Sequence, residues 1–224
     1  MHIEPGLVDS TKIVLSYATA ATSAAYAARL AYEHIRVDGL PPLILRSAIA
    51  TALVFVFFEV FPHMPVGVSE VHLILGSSLF LIFGLAPTAI GLVGGLMIQS
   101  LFFSPSDMPQ LGMNVTTLLA ALFAMQQVAK RIVPANLAYV DLSYAHVFKL
   151  SLVFQGTIVS WVAFWTFYGQ GVSGATLQSV ATFGAAYMTV LLLEPLVDMA
   201  VLAGAKALRG RPGAALLATR RLYA

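Results

Sequence analysis

The chain has 224 residues, of which 59% are hydrophobic and only 10% charged, and it contains no cysteine. Soluble domains carry about 25% charged residues, so a water-soluble globule is excluded and the length bounds a number of membrane passes rather than a number of domains. A net charge of +2 argues against a nucleic-acid partner, and without thiols any metal must be held by His, carboxylates, amides or the terminal amine.

The first ten residues, MHIEPGLVDS, carry Glu4 and Asp9, a proline and a glycine, and no basic cluster, so they do not read as a cleaved secretory signal. Apolar runs follow near residues 11–33, 43–61, 71–87, 89–104, 115–133, 144–168 and 175–205. They predict an all-α membrane protein, a bundle of about seven transmembrane helices. Residues 1–224 form a single transmembrane domain in this reading, ending in a basic cytoplasmic tail over 206–224. The third and fourth runs meet around Pro87 and Thr88 as a tight hairpin or one broken helix, and the last run is expected to bend at Pro195.

The first run, SYATAATSAAYAARLAYE, sets Ala18, Ala21, Ala24, Ala25 and Ala28 at helical spacings. Small faces let helices approach closely in lipid, and both packing inside the bundle and docking on another membrane subunit are open. Orientation follows from the basic residues. Arg29, Arg36, Arg46, Lys130, Arg131, Lys149, Lys206, Arg209, Arg211, Arg220 and Arg221 all fall on one side of this map, which leaves Lys12 alone on the other. Short cytoplasmic loops carry the excess of Lys and Arg, so the N-terminus is expected outside and the C-terminus in the cytoplasm.

Chemistry points first to the N-terminus. Met1-His2 offers the terminal amine, the His2 amide nitrogen and the imidazole Nδ1 in fused five- and six-membered chelate rings, a planar tridentate set suited to Ni(II) and Cu(II). His at position two also predicts that the initiator methionine stays in place. His72, at the outer start of the third apolar run, is the candidate fourth ligand; His63 competes from the loop FPHMP but looks solvent-exposed between its prolines. His34 and His146 fall near the cytoplasmic face. Glu59 and Glu194 are the carboxylates singled out within apolar runs, where an unpaired charge is costly. Glu70 could orient the His72 ring, although on a helix residues two apart do not share a face, so a cap or solvated role is expected for it.

Three stretches together resemble the NikM/CbiM family, the substrate-binding membrane components of energy-coupling-factor transporters for nickel and cobalt. MHIEPG is similar to the family's Met-His-Ile opening, SEVHLILG to its Ser-Val-His-Leu segment, and IQSLFF with LGMN to its Gln-Ala-Leu-Leu-Phe and Leu-Gly-Ala-Asn pair. The resemblance implies an N-terminus inserted into the bundle from the outer side, with Met1, His2 and His72 holding transported Ni(2+) or Co(2+). It implies that Asn114, on a loop over the site, holds the His2 ring or the terminus by hydrogen bonds. It also implies a bacterial inner-membrane location, no cofactor, and partners: a transmembrane coupling (T) subunit, cytosolic ATPase subunits and a small accessory membrane subunit. The chain has no GxxxxGK[ST] loop of its own to bind ATP. SPSDMPQ before LGMN, Met113, and GVSE before His72 depart from the family's usual pattern. The rival readings are an intramembrane hydrolase built on His72 with Ser77 or Ser78, and a non-transport structural membrane subunit.

Overall fold

In lipid a backbone can hydrogen-bond only within the protein, and an apolar chain of this kind is driven into helices. The computed structural model describes residues 3–211 and 213–224. Its elements are α1 (Val14–Asp38), α2 (Leu40–Phe55, prolonged by a π-helical turn at Val56–Val60), β1 (Met64–Val66), β2 (Ser69–Val71), α3 (Gly76–Phe83) and α4 (Leu85–Phe102). After a 3-10 turn at Pro105–Gln110 come α5 (Leu111–Ile132), α6 (Tyr144–Gln170), α7 (Gly174–Met188), α8 (Glu194–Ala207) and α9 (Ala214–Leu217).

Side-chain pairings give the direction of each pass. Gly91 and Gly95 of α4 lie on Ala50 and Val54 of α2, so these two helices run parallel. Thr19 meets Thr116 and Tyr26 meets Phe123, so α1 and α5 run parallel too. Ser77 opposite Ser151, and Gln155 opposite Ile74, set α3 antiparallel to α6. The hairpin β1–β2, in which Met64 pairs with Val71, gathers at one end with the Ile3 segment and the start of α5. At the other end the tail is tied down: Thr219 N–H donates to Ile82 O, Arg220 pairs with Asp38 and Lys206 with Asp141.

Each of the seven apolar runs holds helix: α1, α2, α3, α4, α5, α6, and α7 with α8. Among the described residues five stretches are long and apolar enough to cross a bilayer, Leu40–Val60, Leu85–Phe102, Pro105–Ile132, Tyr144–Gln170 and Gly174–Ala207. The 25-residue α1 has the length but is less apolar than these, and α3 has only 8 residues. The chain reaches α3 through a non-helical stretch. One expectation changes. The break between the third and fourth runs falls at Gly84, whose φ of 85° is open to glycine and strained for other residues, and not at Pro87 and Thr88. The last run bends as expected: α7 ends at Met188, a 3-10 turn follows, and Pro195 sits in the first turn of α8.

Five small residues of α1, Ala18, Ala21, Ala24, Ala25 and Ala28, are all exposed, while Ala20 and Ala27 pack against the core and Ser16 is buried against Gly112. A second close helix approach joins α2 and α4, where a Cβ on Gly91 would stand 2.9 Å from the Ala50 carbonyl carbon and closer still to its methyl. Gly91→Ala therefore forces α2 and α4 apart at a cost of about 1–3 kcal/mol, read as a lower melting temperature in detergent. Gly156→Ala, on α6 with nothing within 4 Å of the added carbon, leaves the melting temperature unchanged or slightly raised.

Candidate metal centre

The end of the bundle that holds the hairpin also gathers the polar groups named from the sequence. β2 carries Ser69, Glu70 and Val71, and the chain stays non-helical from His72 to Leu75 before α3 begins. Extended backbone has a period of two, so Glu70 and His72 point the same way. Glu70 Oε2 accepts a hydrogen bond from His72 Nε2 at 2.8 Å. The expectation that Glu70 would miss the ring because both stood on a helix is corrected: there is no helix there.

His72 is fully buried. Phe58 meets its ring edge-on at 5.3 Å between centroids, and His63 stacks on its face at 4.9 Å with an interplanar angle of 15°. The His63 side stays exposed as its prolines suggest, yet the turn Phe61–His63 folds the ring back over His72. A carboxylate, an aromatic edge and a second imidazole thus fix the plane of His72. With Nε2–H committed to Glu70, the imidazole presents Nδ1 as its Lewis-basic nitrogen, the arrangement by which carboxylates orient metal-binding histidines.

Asn114 is also fully buried, in the first turn of α5 and not on a loop. Its Oδ1 accepts the Ile3 N–H at 3.1 Å. Ile3 is itself fully buried and bridges to Ser69, while Glu4 N–H donates to Val68 O, so the N-terminal segment lies along the hairpin. Asn114 Nδ2 has no hydrogen-bond partner among the described residues. Met1 and His2, the two leading members of the expected site, lie outside the described residues.

Beside this strand opens a cavity of 250 Å³ lined by Ile3, Glu4, Pro5, Glu70, Ser104, Ser106 and Asp107. Partial burial, and then the carboxylates of Glu70 and Asp107, hold the Glu4 carboxyl above the usual carboxylate range. Lys12 is drawn away from this mouth by the Tyr168 and Gly169 carbonyls and by Asp9. The mouth is therefore acidic and favours a cation. Asp107 was not among the residues picked from the sequence, and the acidic residue in SPSDMPQ was the available signal.

The other candidates go elsewhere. His34 stands 3.7 Å from Asp38, and His146 bonds Ser143, both at the opposite end. Glu59 lies in the π-helical turn that ends the α2 pass. Ser77 and Ser78 hydrogen-bond to Asp198, the partner the structure gives them in place of the histidine that the hydrolase reading needs. Glu194 binds neither Lys nor Arg among the described residues; its partners are Ser77 and Gln155. Asp198, four residues on in the same apolar run, was overlooked, although EPLVD places two carboxylates one helical turn apart.

Comparison with known proteins agrees with this geometry at the level of family. No curated protein and no solved structure matches the chain. A family model described as the cobalt uptake substrate-specific transmembrane region, CbiM, matches residues 2–211, nearly the whole chain, and the protein therefore belongs to the CbiM family of substrate-specific membrane components for cobalt uptake.

Proposed function

We propose that this protein captures Ni(2+) or Co(2+) at the outer end of the bundle, with the Met1 amine, the His2 amide and imidazole, and the His72 imidazole as a four-nitrogen set. The observation that carries this reading is the anchoring of Ile3, the residue after His2, by Asn114 and Ser69. Ser69 is three residues from His72, so a chain pinned there has the reach for its first two residues to meet that ring. Four nitrogens in a plane satisfy Ni(II) and low-spin Co(II). Glu70 positions His72 and Asn114 positions the terminus, while Glu4, Glu70 and Asp107 concentrate cations at the mouth.

The rest of the assembly follows from the family and from charge. The chain is the substrate-specific component of an ATP-driven transporter in the bacterial inner membrane, with the N-terminus outside and the basic tail over 206–224 in the cytoplasm. A transmembrane coupling subunit, cytosolic ATPase subunits and a small accessory membrane subunit complete it. The exposed alanines of α1 offer one of them a close-packing face. CbiM proteins are transport components rather than enzymes, and the Ser77 and Ser78 contacts agree with that.

Calorimetry with Ni(2+) or Co(2+) on protein with a native, deformylated N-terminus gives tight binding of about one ion per chain, and an N-terminal extension abolishes it, because the amine must be free and deprotonated to ligate. Equal binding by both forms would sink the chelate. Glu70→Gln and Asn114→Ala each weaken tight binding by about 10–100-fold with the protein still folded, the usual cost of losing a group that orients a ligand. Affinity unchanged in both variants would mean that neither group positions a ligand.

A further inference from the structure

Inward of His72 a second polar cluster lies wholly inside the bundle, separate from the outer ligands. α8 contributes Glu194 and Asp198, α3 contributes Ser77 and Ser78, and α6 contributes Ser151 and Gln155, all buried. Ser77 Oγ stands 3.0 Å from Glu194 Oε1 and 2.6 Å from Asp198 Oδ2. Ser151 Oγ donates to Asp198 Oδ2 at 3.0 Å, and Ser78 Oγ donates to the other Asp198 oxygen. Gln155 Nε2 bonds Glu194 Oε2 at 2.7 Å and the Ile74 carbonyl at 3.1 Å. Among the described residues no Lys, Arg or His pairs with either carboxylate.

Hydrogen counting shows what this cluster requires. A serine hydroxyl has one hydrogen, yet Ser77 lies within bonding distance of an oxygen from each acid. That hydrogen serves one acid at a time, and the Ser77 and Ser78 backbone N–H groups at the start of α3 also reach Glu194 and Asp198, so every donor here is neutral and a proton or a cation is left to balance the charge. Charge counting says the same, since two bare carboxylates inside a membrane protein are costly unless compensated. Two further oxygens lack a hydrogen-bond partner among the described residues: Gln155 Oε1, on the amide held against Glu194, and the fully buried Tyr187 Oη, within electrostatic reach of Glu194. Such oxygens, buried beside two carboxylates, form a donor set for a hard or borderline cation.

We propose that Glu194 and Asp198 form an inner cation site that holds a shared proton at rest and exchanges it for one divalent transition-metal ion. Ser77, Ser151 and Gln155 supply neutral oxygens to that ion. The exchange balances: the proton that Glu194 donates to Ser77 leaves as the ion enters, and the two carboxylates then offset the two charges of the ion. Gln155 links this site to the Ile74 carbonyl, two residues beyond His72, which puts it on the inward side of the outer ligand. The proposal rests on the uptake reading only for the identity of the ion.

The test uses the full chain with an N-terminal extension, which removes the outer amine, titrated with Co(2+) alone in weak buffer with a pH indicator. The inner site predicts weaker binding of about one ion per chain, with about one proton released and the visible spectrum of oxygen-ligated cobalt. The isosteric double variant Glu194→Gln/Asp198→Asn loses this binding and its proton release. On the native N-terminus the same double variant keeps tight binding and a monodisperse detergent profile, which shows that it folds. An extended protein that binds no Co(2+), or binding that survives the double variant, overturns the inner site. The outer reading stands or falls separately, on whether the extension removes the tight binding of the otherwise unaltered protein.

Discussion

The hydrogen bond from Gln155 Nε2 to the Ile74 carbonyl is the contact on which the functional half of the molecule depends. Backbone that is not helical survives at membrane depth only where protein groups satisfy it. From His72 to Leu75 the chain is not helical, and Gln155 supplies the donor that lets it remain so. Ile74 N–H reaches back to His72 O, and Gly76 N–H to Ile74 O, which closes the turn into α3. Because the chain leaves β2 without entering a helix, Glu70 and His72 share a face and α3 starts late enough for Ser77 and Ser78 to meet α8. A regular helix from Val71 onward would break both arrangements.

The two ends of the bundle are built on opposite electrostatic plans. At the tail end, carboxylates are matched by bases: Asp38 by Arg46 and Arg220, Asp141 by Lys206 and Arg209. These contacts tie the tail to the α1–α2 corner and to the loop before α6. At the hairpin end, Glu4, Glu70 and Asp107 share one cavity, and Lys12 is occupied by backbone carbonyls. Matched charges lock a surface, whereas a carboxylate-lined mouth raises the local concentration of cations.

Much of the fold could be read from the chain. The distribution of Lys and Arg separated the two ends, the bend at Pro195 followed from the residue itself, and His72 stood out as the histidine nearest the N-terminal segment. The motifs around MHIEPG, SEVHLILG and LGMN pointed to the family that the whole-chain match bears out. The site was less legible wherever it depended on periodicity. An apolar stretch such as VHLILG fits strand and helix alike, and the choice between them decides whether Glu70 touches His72. The stacking of His63 on His72 and the convergence of Ser77, Ser151 and Asp198 join positions far apart in sequence, which no local pattern reports.

Composition by itself determined that the protein lives in lipid, that its backbone is mostly helical, and that no thiolate is available to a metal. Those outcomes follow from sums over residues and from short-range geometry. Tertiary structure alone decided which polar groups share a cavity, because each such group must find its partner among helices whose order in space is set by packing. It turned Ala18, Ala21, Ala24, Ala25 and Ala28 of α1 outward while Ser16 of the same helix packs on Gly112. It also placed Glu194 and Asp198 opposite serines and a glutamine and, among the described residues, not beside a base, since the break before Pro195 aims the start of α8 at α3 and α6.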